Sequence, residues 1–236
     1  MTDLVTYALT DGVATLTMDD GKANAIGPRM QDALNAALDR AEADRALVVL
    51  TGRPGVFSGG FDLSVFKAGD PRETFRMLTG GAQLAQRLLA YPHPVVAACS
   101  GHAMAMGLFL LQCADVRIGP STGASFQANE VLIGMTLPHF ALETLRQRVT
   151  APHLHLVGTA SPYDGDGAVR AGLLDEAVAT DALADATRAQ VERLKKAHPA
   201  SFTATKQRLR APVLTAMPAA IDQDIADWKR LGAPPA

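Results

Sequence analysis

Glu130 is the one ionisable residue in the otherwise uncharged stretch 125–138. A carboxyl group buried in such surroundings loses hydration, which favours its neutral form. Its pKa then moves toward the range where one group can take a proton and return it. The plain alternative is a solvated loop glutamate or a helix cap, and the residue alone does not choose between them. Two glycine-bearing turns offer the complementary chemistry. In VFSGGFDL (56–63) and SGHAMAMG (100–107) the backbone can approach a ligand and present N–H donors to it. Neither turn is a GxxxxGK[ST] phosphate loop or a clean GxGxxG fingerprint, and the chain has no GxSxG elbow. Taken singly, such turns occur more often as plain structure than as sites. Asp62 reads as a helix-start cap, and Met104 and Met106 read as core filler. His153 and His155 fall in a segment that reads as helical, where surface positions suit them better than metal ligation. His102 and His139 flank the turns and receive no role.

The elements that must position these groups are legible in outline. Val5, Tyr7 and Leu9 alternate with Thr6, Ala8 and Thr10. After Asp11-Gly12 the alternation resumes through residues 13–18, which reads as a hairpin with a tight turn. Pro28 marks a helix start, and Met30, Leu34, Ala37, Leu38 and Ala41 recur at helical spacing. Residues 46–50 are a continuous apolar run, as expected of a strand buried on both faces, and they end in the glycine-rich stretch 51–60. The unit recurs: a helical pattern through Phe75, Leu78, Leu84 and Leu88 stops before Pro92. A strand over 94–99 follows, then Ser100-Gly101 and an apolar helix. Right-handed βα units with a parallel sheet connect such pieces at least cost. Beyond Leu142 the pattern is mostly helical, longest over 182–197 and 201–231, with 176–179 strand-like. One α/β domain with a helical C-terminal region is expected, and residues 233–236 are expected to fray.

Composition limits the partners. The 22 Lys+Arg against 24 Asp+Glu leave a formal charge of −2, which supplies no general drive toward nucleic acid or anionic membrane. With 48% hydrophobic residues the chain can offset the entropy of folding. The apolar run 104–111 falls well short of the ~20 residues of a membrane span. Residues 1–4 carry no basic segment followed by an apolar one, so a soluble, cytoplasmic protein is expected. Cys99 and Cys113 have no paired metal spacing and read as buried small apolar residues.

Together, FSGGFDL (57–63), GHAMAMG (101–107) and FQANEVLIGMTLP (126–138), with Lys22-Ala23-Asn24-Ala25-Ile26 before the first helix, resemble the crotonase (enoyl-CoA hydratase/isomerase) superfamily. The resemblance spans essentially the whole chain. It implies an α/β fold of repeated ββα units in a spiral core, residues 1–196, with residues 197–236 as a C-terminal helical trimerisation region. It implies an acyl-coenzyme A thioester as substrate in fatty acid metabolism, with no separate cofactor and no metal. It also implies homotrimers or pairs of trimers. Phe202, Leu209, Val213, Leu214, Met217 and Ile221 would suit subunit packing, although a monomer core accounts for them equally well.

The resemblance also assigns roles. The backbone N–H groups of Phe61 and Met106 would hold the thioester oxygen and stabilise an enolate, each contributing on the order of 3 kcal/mol. Met106 stands where the family commonly has glycine. Glu130 matches the second of two hydratase glutamates, whereas the first position is Phe109, which can neither bind nor deprotonate water. One carboxylate suffices to move a proton from C2 to C4 of a 3-enoyl thioester. The resemblance therefore points to isomerisation ahead of hydration, with a non-catalytic acyl-coenzyme A binder as the alternative from another class. Ala23, Asn24, Ser58, Gly59, Gly60, Asp62, Leu63, Ala105 and Phe109 would line the ligand. Among Lys22, Arg53, Lys67, Arg72 and Arg76, Lys22 is the foremost candidate for the phosphates of coenzyme A.

Overall fold

A computed structural model describes residues 3–230. The expectations for the start of the N-terminus, residues 1–2, and for the tail 233–236 fall outside them. The chain opens with the antiparallel hairpin β1 (Val5–Thr10) and β2 (Val13–Met18). Asp11 and Gly12 turn it with φ of 50° and 74°, the positive values that two-residue hairpin turns require. Then follow α1 (Pro28–Ala43), β3 (Leu47–Gly52), β4 (Gly55–Ser58), α2 (Leu63–Ala68) and α3 (Pro71–Ala90). The next unit is β5 (Val95–Ala98), β6 (Gly101–Met104) and α4 (Met106–Gln112), and the third is β7 (Val116–Pro120), β8 (Phe126–Gln127), a 3-10 turn (Glu130–Ile133) and α5 (His139–Arg146). The chain ends through α6 (Ala151–Gly158), α7 (Gly165–Ala171), β9 (Glu176–Val178), a second 3-10 turn (Thr180–Ala182), α8 (Leu183–Lys195) and α9 (Pro199–Arg230).

Three times the chain places one strand in a large sheet and the next in a small one before turning into helix. The large sheet runs β1-β2-β3-β5-β7-β9, parallel except for β1 against β2, and the small one runs β4-β6-β8, all parallel. This is the ββα repeat with a helical C-terminal region. The uninterrupted apolar runs are explained by burial on both faces. Val48, Leu50, Val95 and Ala97 face the main core, while Leu47, Val49, Val96 and Ala98 face a second cluster with Val191 and Leu194 of α8.

The residue pattern alone had placed the apolar helix directly after Ser100-Gly101; β6 intervenes and α4 begins at Met106. All seven residues of α4 are buried, as in a core helix that is apolar nearly all round. α9 passes through Pro212 and Pro218, both on its exposed side. Val213, Met217 and Ile221 join the chain's own core, whereas Leu209 is 77% exposed. Cys99 and Cys113 are buried and unbridged. Among the described residues no helix is long and apolar enough to cross a membrane.

Candidate active site

The small sheet gathers the candidate groups. Ser58 of β4, Ala103 of β6 and Phe126 of β8 are aligned across it. Beyond the carboxyl ends of its three strands follow Phe61, Met106 and Glu130, so groups from three distant segments leave the same edge of one sheet. Ligand chemistry in parallel α/β sheets favours that edge.

The first turn is braced from within. Asn24 is fully buried, with φ of 50°, and its amide donates to the carbonyls of Met18 at 3.0 Å and Phe57 at 3.1 Å. The Ser58 hydroxyl donates to the Asn24 carbonyl at 2.8 Å. Backbone bonds from Gly59 to Ala23 (2.7 Å) and from Ile26 to Gly60 (2.8 Å) complete the clamp. Below it, one Asp20 carboxylate receives the N–H groups of Lys22, Asn24 and Ala25. Burial alone would raise its pKa, but these donors outweigh it and hold it below the ordinary value. Asp62 caps α2 by accepting from Ser64 N at 2.8 Å. Among the described residues, the Phe61 N–H has no acceptor.

The second turn holds strain. Ala105 sits at φ 49°, ψ −125°, a conformation that costs a residue with a Cβ roughly 1–3 kcal/mol. It is held there because Ala105 N donates to Gln127 O at 2.9 Å while its own carbonyl accepts from Phe109 N at 3.1 Å. The consequence is that Met106 begins α4 with an N–H that, among the described residues, meets no acceptor. The two turns interlock through glycine. A Cβ on Gly60 (φ 97°) would stand 2.8 Å from Ala105 Cβ and 3.5 Å from Met106 N, and one on Gly107 would stand 2.6 Å from Ser58 O.

Glu130 is 5% exposed, and its Oε2 is buried without a hydrogen-bond partner. Burial pushes its pKa up to about 7, against a smaller opposing effect of its own backbone N–H. Phe109, one helical turn beyond Met106, is fully buried, its ring edge-to-face with Phe140 at 5.9 Å and 89°. Two neighbouring free amides can hold an oxygen that gains negative charge, and a carboxyl group poised near neutrality can carry a proton.

Several expected ligand contacts are placed differently. Asn24 and Ser58 are interior braces, because their polar atoms are committed to the protein. Phe109 is sealed in the core. Leu63 is 55% exposed, whereas the exposed Lys22 keeps its ammonium open to a ligand from solvent. Arg53 and Arg76 already face Asp19 and Asp32. Ser125 N donates to His102, and His139 lies 3.4 Å from Asp227. No cluster of three His, Cys, Asp or Glu suited to a metal occurs among the described residues. The residue pattern did not single out Asp20, Gly81, Phe140 or Asp224, whose contributions depend on contacts between distant segments.

The repeated ββα units define a crotonase-type fold. The chain belongs to the enoyl-CoA hydratase/isomerase family, whose model matches residues 8–233. It is 31% identical over 175 residues, 72% of this chain and 67% of the relative, to a probable enoyl-CoA hydratase of Bacillus subtilis. Two solved structures of one Mycobacterium tuberculosis protein are 44% identical to it. The first covers 96% of this chain and 99% of its own with a TM-score of 0.90 and is described as an enoyl-CoA isomerase. The second covers 96% and 97% with a TM-score of 0.92 and is described as a probable enoyl-CoA hydratase. The human mitochondrial delta3-delta2-enoyl-CoA isomerase, 21% identical over 95% of this chain and 90% of its own, shares the fold with a TM-score of 0.89.

Proposed function

We propose that the protein converts 3-enoyl-coenzyme A thioesters to their conjugated 2-enoyl isomers. Glu130 takes a proton from C2, and the electron pair moves onto the thioester oxygen, where the N–H groups of Phe61 and Met106 stabilise it. Glu130 then returns the proton at C4, leaving the double bond between C2 and C3. Lys22 serves the phosphates of the coenzyme. The observation that carries this reading is the buried carboxyl of Glu130, whose Oε2 has no hydrogen-bond partner among the described residues and whose pKa is about 7, while the position of the first hydratase glutamate holds Phe109, packed on Phe140. A shuttle with a pKa near the working pH is deprotonated often enough to accept and acidic enough to give back. The mycobacterial protein described as an isomerase is consistent with it.

Hydration is the second reading, favoured by the name of the Bacillus relative and by the second description of the mycobacterial protein, each a probable enoyl-CoA hydratase. The trimeric state belongs to the proposal as well. Supporting it, Val131, Leu132 and Ile133 beside Glu130 are 44%, 67% and 54% exposed, an apolar run that a second copy would cover.

The test is a panel of 3-enoyl and trans-2-enoyl thioesters with wild type and Glu130→Gln. Formation of conjugated product from the 3-enoyl substrate, reduced about 10²–10⁴-fold by Glu130→Gln, is expected. Rapid loss of conjugation from the 2-enoyl substrate would establish the hydratase instead. Binding without turnover would mean an acyl-coenzyme A binder.

A further inference from the structure

We propose that the cavity between β7 and the C-terminal helices binds a small tetrahedral oxyanion, either free phosphate or the phosphomonoester end of a metabolite. This cavity of about 360 Å³ is lined by Arg148, Arg193, Lys206 and Arg210, with the hydroxyl-bearing Thr205 and the one carboxylate of Asp115.

The charge around it does not balance. Lys206 Nζ lies 2.7 Å from Asp115 Oδ2 and Arg210 Nη2 lies 2.7 Å from Asp115 Oδ1, with side chains only 5% and 7% exposed. Arg148 Nη2 reaches the Asp115 carbonyl at 3.1 Å. Its ion-pair partner Asp175, at 3.1 Å, is shared with the buried Arg117 at 2.7 Å. Among the described residues, Arg193 has no carboxylate within ion-pair reach, and its Nε donates to Gln190 at 2.8 Å. Four cations, Arg117, Arg148, Lys206 and Arg210, therefore share two carboxylates, with the exposed Arg193 at the rim, an arrangement that an additional anion relieves.

Two further observations point the same way. Arg148 Nε is buried without an acceptor, although a guanidinium donor so placed normally has one. Burial lowers Lys206 to about 8 although Asp115 opposes it, with Arg210 adding a smaller lowering effect, so the ammonium is poorly hydrated where it stands. The donors come from α8, α9 and the segment after α5, so they approach from several directions. A tetrahedral ion accepts from all of them, whereas a planar carboxylate suits one guanidinium fork. The site rests on different residues from the reaction proposed above and stands or falls without it.

Titration calorimetry at matched ionic strength, with inorganic phosphate and with glycerol 3-phosphate, tests this on the full chain. Wild type is compared with Arg193→Gln and Leu209→Glu, both at exposed positions lining the cavity. Saturable binding of phosphate with a Kd at or below about 1 mM is expected, weakened about tenfold or more by either substitution. Equal binding of the ester assigns the site to a phosphorylated metabolite, and its exclusion assigns it to the free ion. Absence of saturable binding in wild type, or equal binding in all three proteins, would overturn the proposal. Loss of binding in Lys22→Ala would overturn it too, by moving the ion to the candidate coenzyme pocket.

Discussion

The ring of Phe61 occupies the space that Gly81 leaves by having no side chain: a Cβ there would stand 2.5 Å from Phe61 Cε1 and 2.7 Å from Cζ, with Met106 Cε at 3.5 Å. Both residues that offer free amides thus fold their side chains back onto α3. Glycine inside a long helix costs about 1 kcal/mol relative to alanine, so this position is held by what it admits. Gly81→Ala is expected to leave overall stability within about 2 kcal/mol, the helix gain offsetting part of the overpacking. It should lower kcat/KM for a 3-enoyl thioester by at least about tenfold, because the displaced ring drags the Phe61 amide with it. Denaturant titration beside steady-state kinetics separates the two effects. Unchanged turnover would show that the Phe61 seat does not set the position of its amide.

On the proposed mechanism, Glu130 links catalysis to stability with opposite signs. Its folded-state pKa of about 7 lies above the ordinary 4.5, so folding favours the protonated form. The associated stability is complete below pH 4.5 and is lost as pH rises through 7, approaching about 3 kcal/mol. Isomerase activity needs the ionised form and should rise through the same interval. Glu130→Gln is therefore expected to raise the unfolding temperature relative to wild type at pH 8 and to change it little at pH 4.5, while removing activity at both. A variant no more stable at pH 8 would mean that the carboxylate gains compensation the structure does not reveal.

How far the sequence could be read follows from the length of each element. Most of the large sheet was legible, β3 and β5 as continuous apolar runs and β1 and β2 as alternation, but β7 carries Arg117 and Gly119 within five residues and was not read; α1 was legible because Met30, Leu34, Leu38 and Ala41 repeat at helical spacing. The small sheet was invisible to periodicity. β4 and β6 have four residues and β8 has two, too few to show alternation, and parallel neighbours supply their hydrogen bonds. Only the resemblance implied a second strand in each unit. Glu130, Phe61 and Met106 were named from motifs. The clamp made by Asp20, Asn24 and Ser58, and the seat at Gly81, were not legible, since each joins residues that no local pattern relates.

Asp224 of α9 performs a task that α5 cannot perform for itself. The cap position of α5 is Pro138, which has no side-chain acceptor, and the buried Asp224 carboxylate instead receives His139 N at 2.8 Å and Phe140 N at 2.9 Å. The C-terminal helix thereby fixes the end of the segment that begins at Glu130. Burial raises the Asp224 pKa while the two backbone donors oppose it, and because each N–H goes to a different carboxylate oxygen, an amide in its place keeps one acceptor and sets its NH2 against the other N–H. Asp224→Ala is expected to cost about 1–2 kcal/mol and Asp224→Asn about as much, since it leaves one N–H unpaired, read from urea midpoints. A markedly smaller loss for Asp224→Asn would mean that a single accepting oxygen is all that α5 requires.

Phe109 stands where the resemblance places the first hydratase glutamate, which suggests Phe109→Glu as a route to water addition. The packing argues that this single change fails. The ring is fully buried and meets Phe140 edge-to-face, a pair worth about 0.5–1.5 kcal/mol beyond its burial. A carboxylate put in its place would lose that contact and face an uncompensated desolvation penalty of several kcal/mol, which protonation would relieve by removing the charge that hydration needs. Phe109→Glu should therefore unfold at markedly lower urea, by about 3 kcal/mol or more, and gain no hydration of a trans-2-enoyl thioester. Adding Phe140→Ala opens the volume beside it and admits water, so any hydration should emerge first in the double variant. Hydration by the single variant would show that the Phe109–Phe140 pair does not exclude water from the carbons next to Glu130.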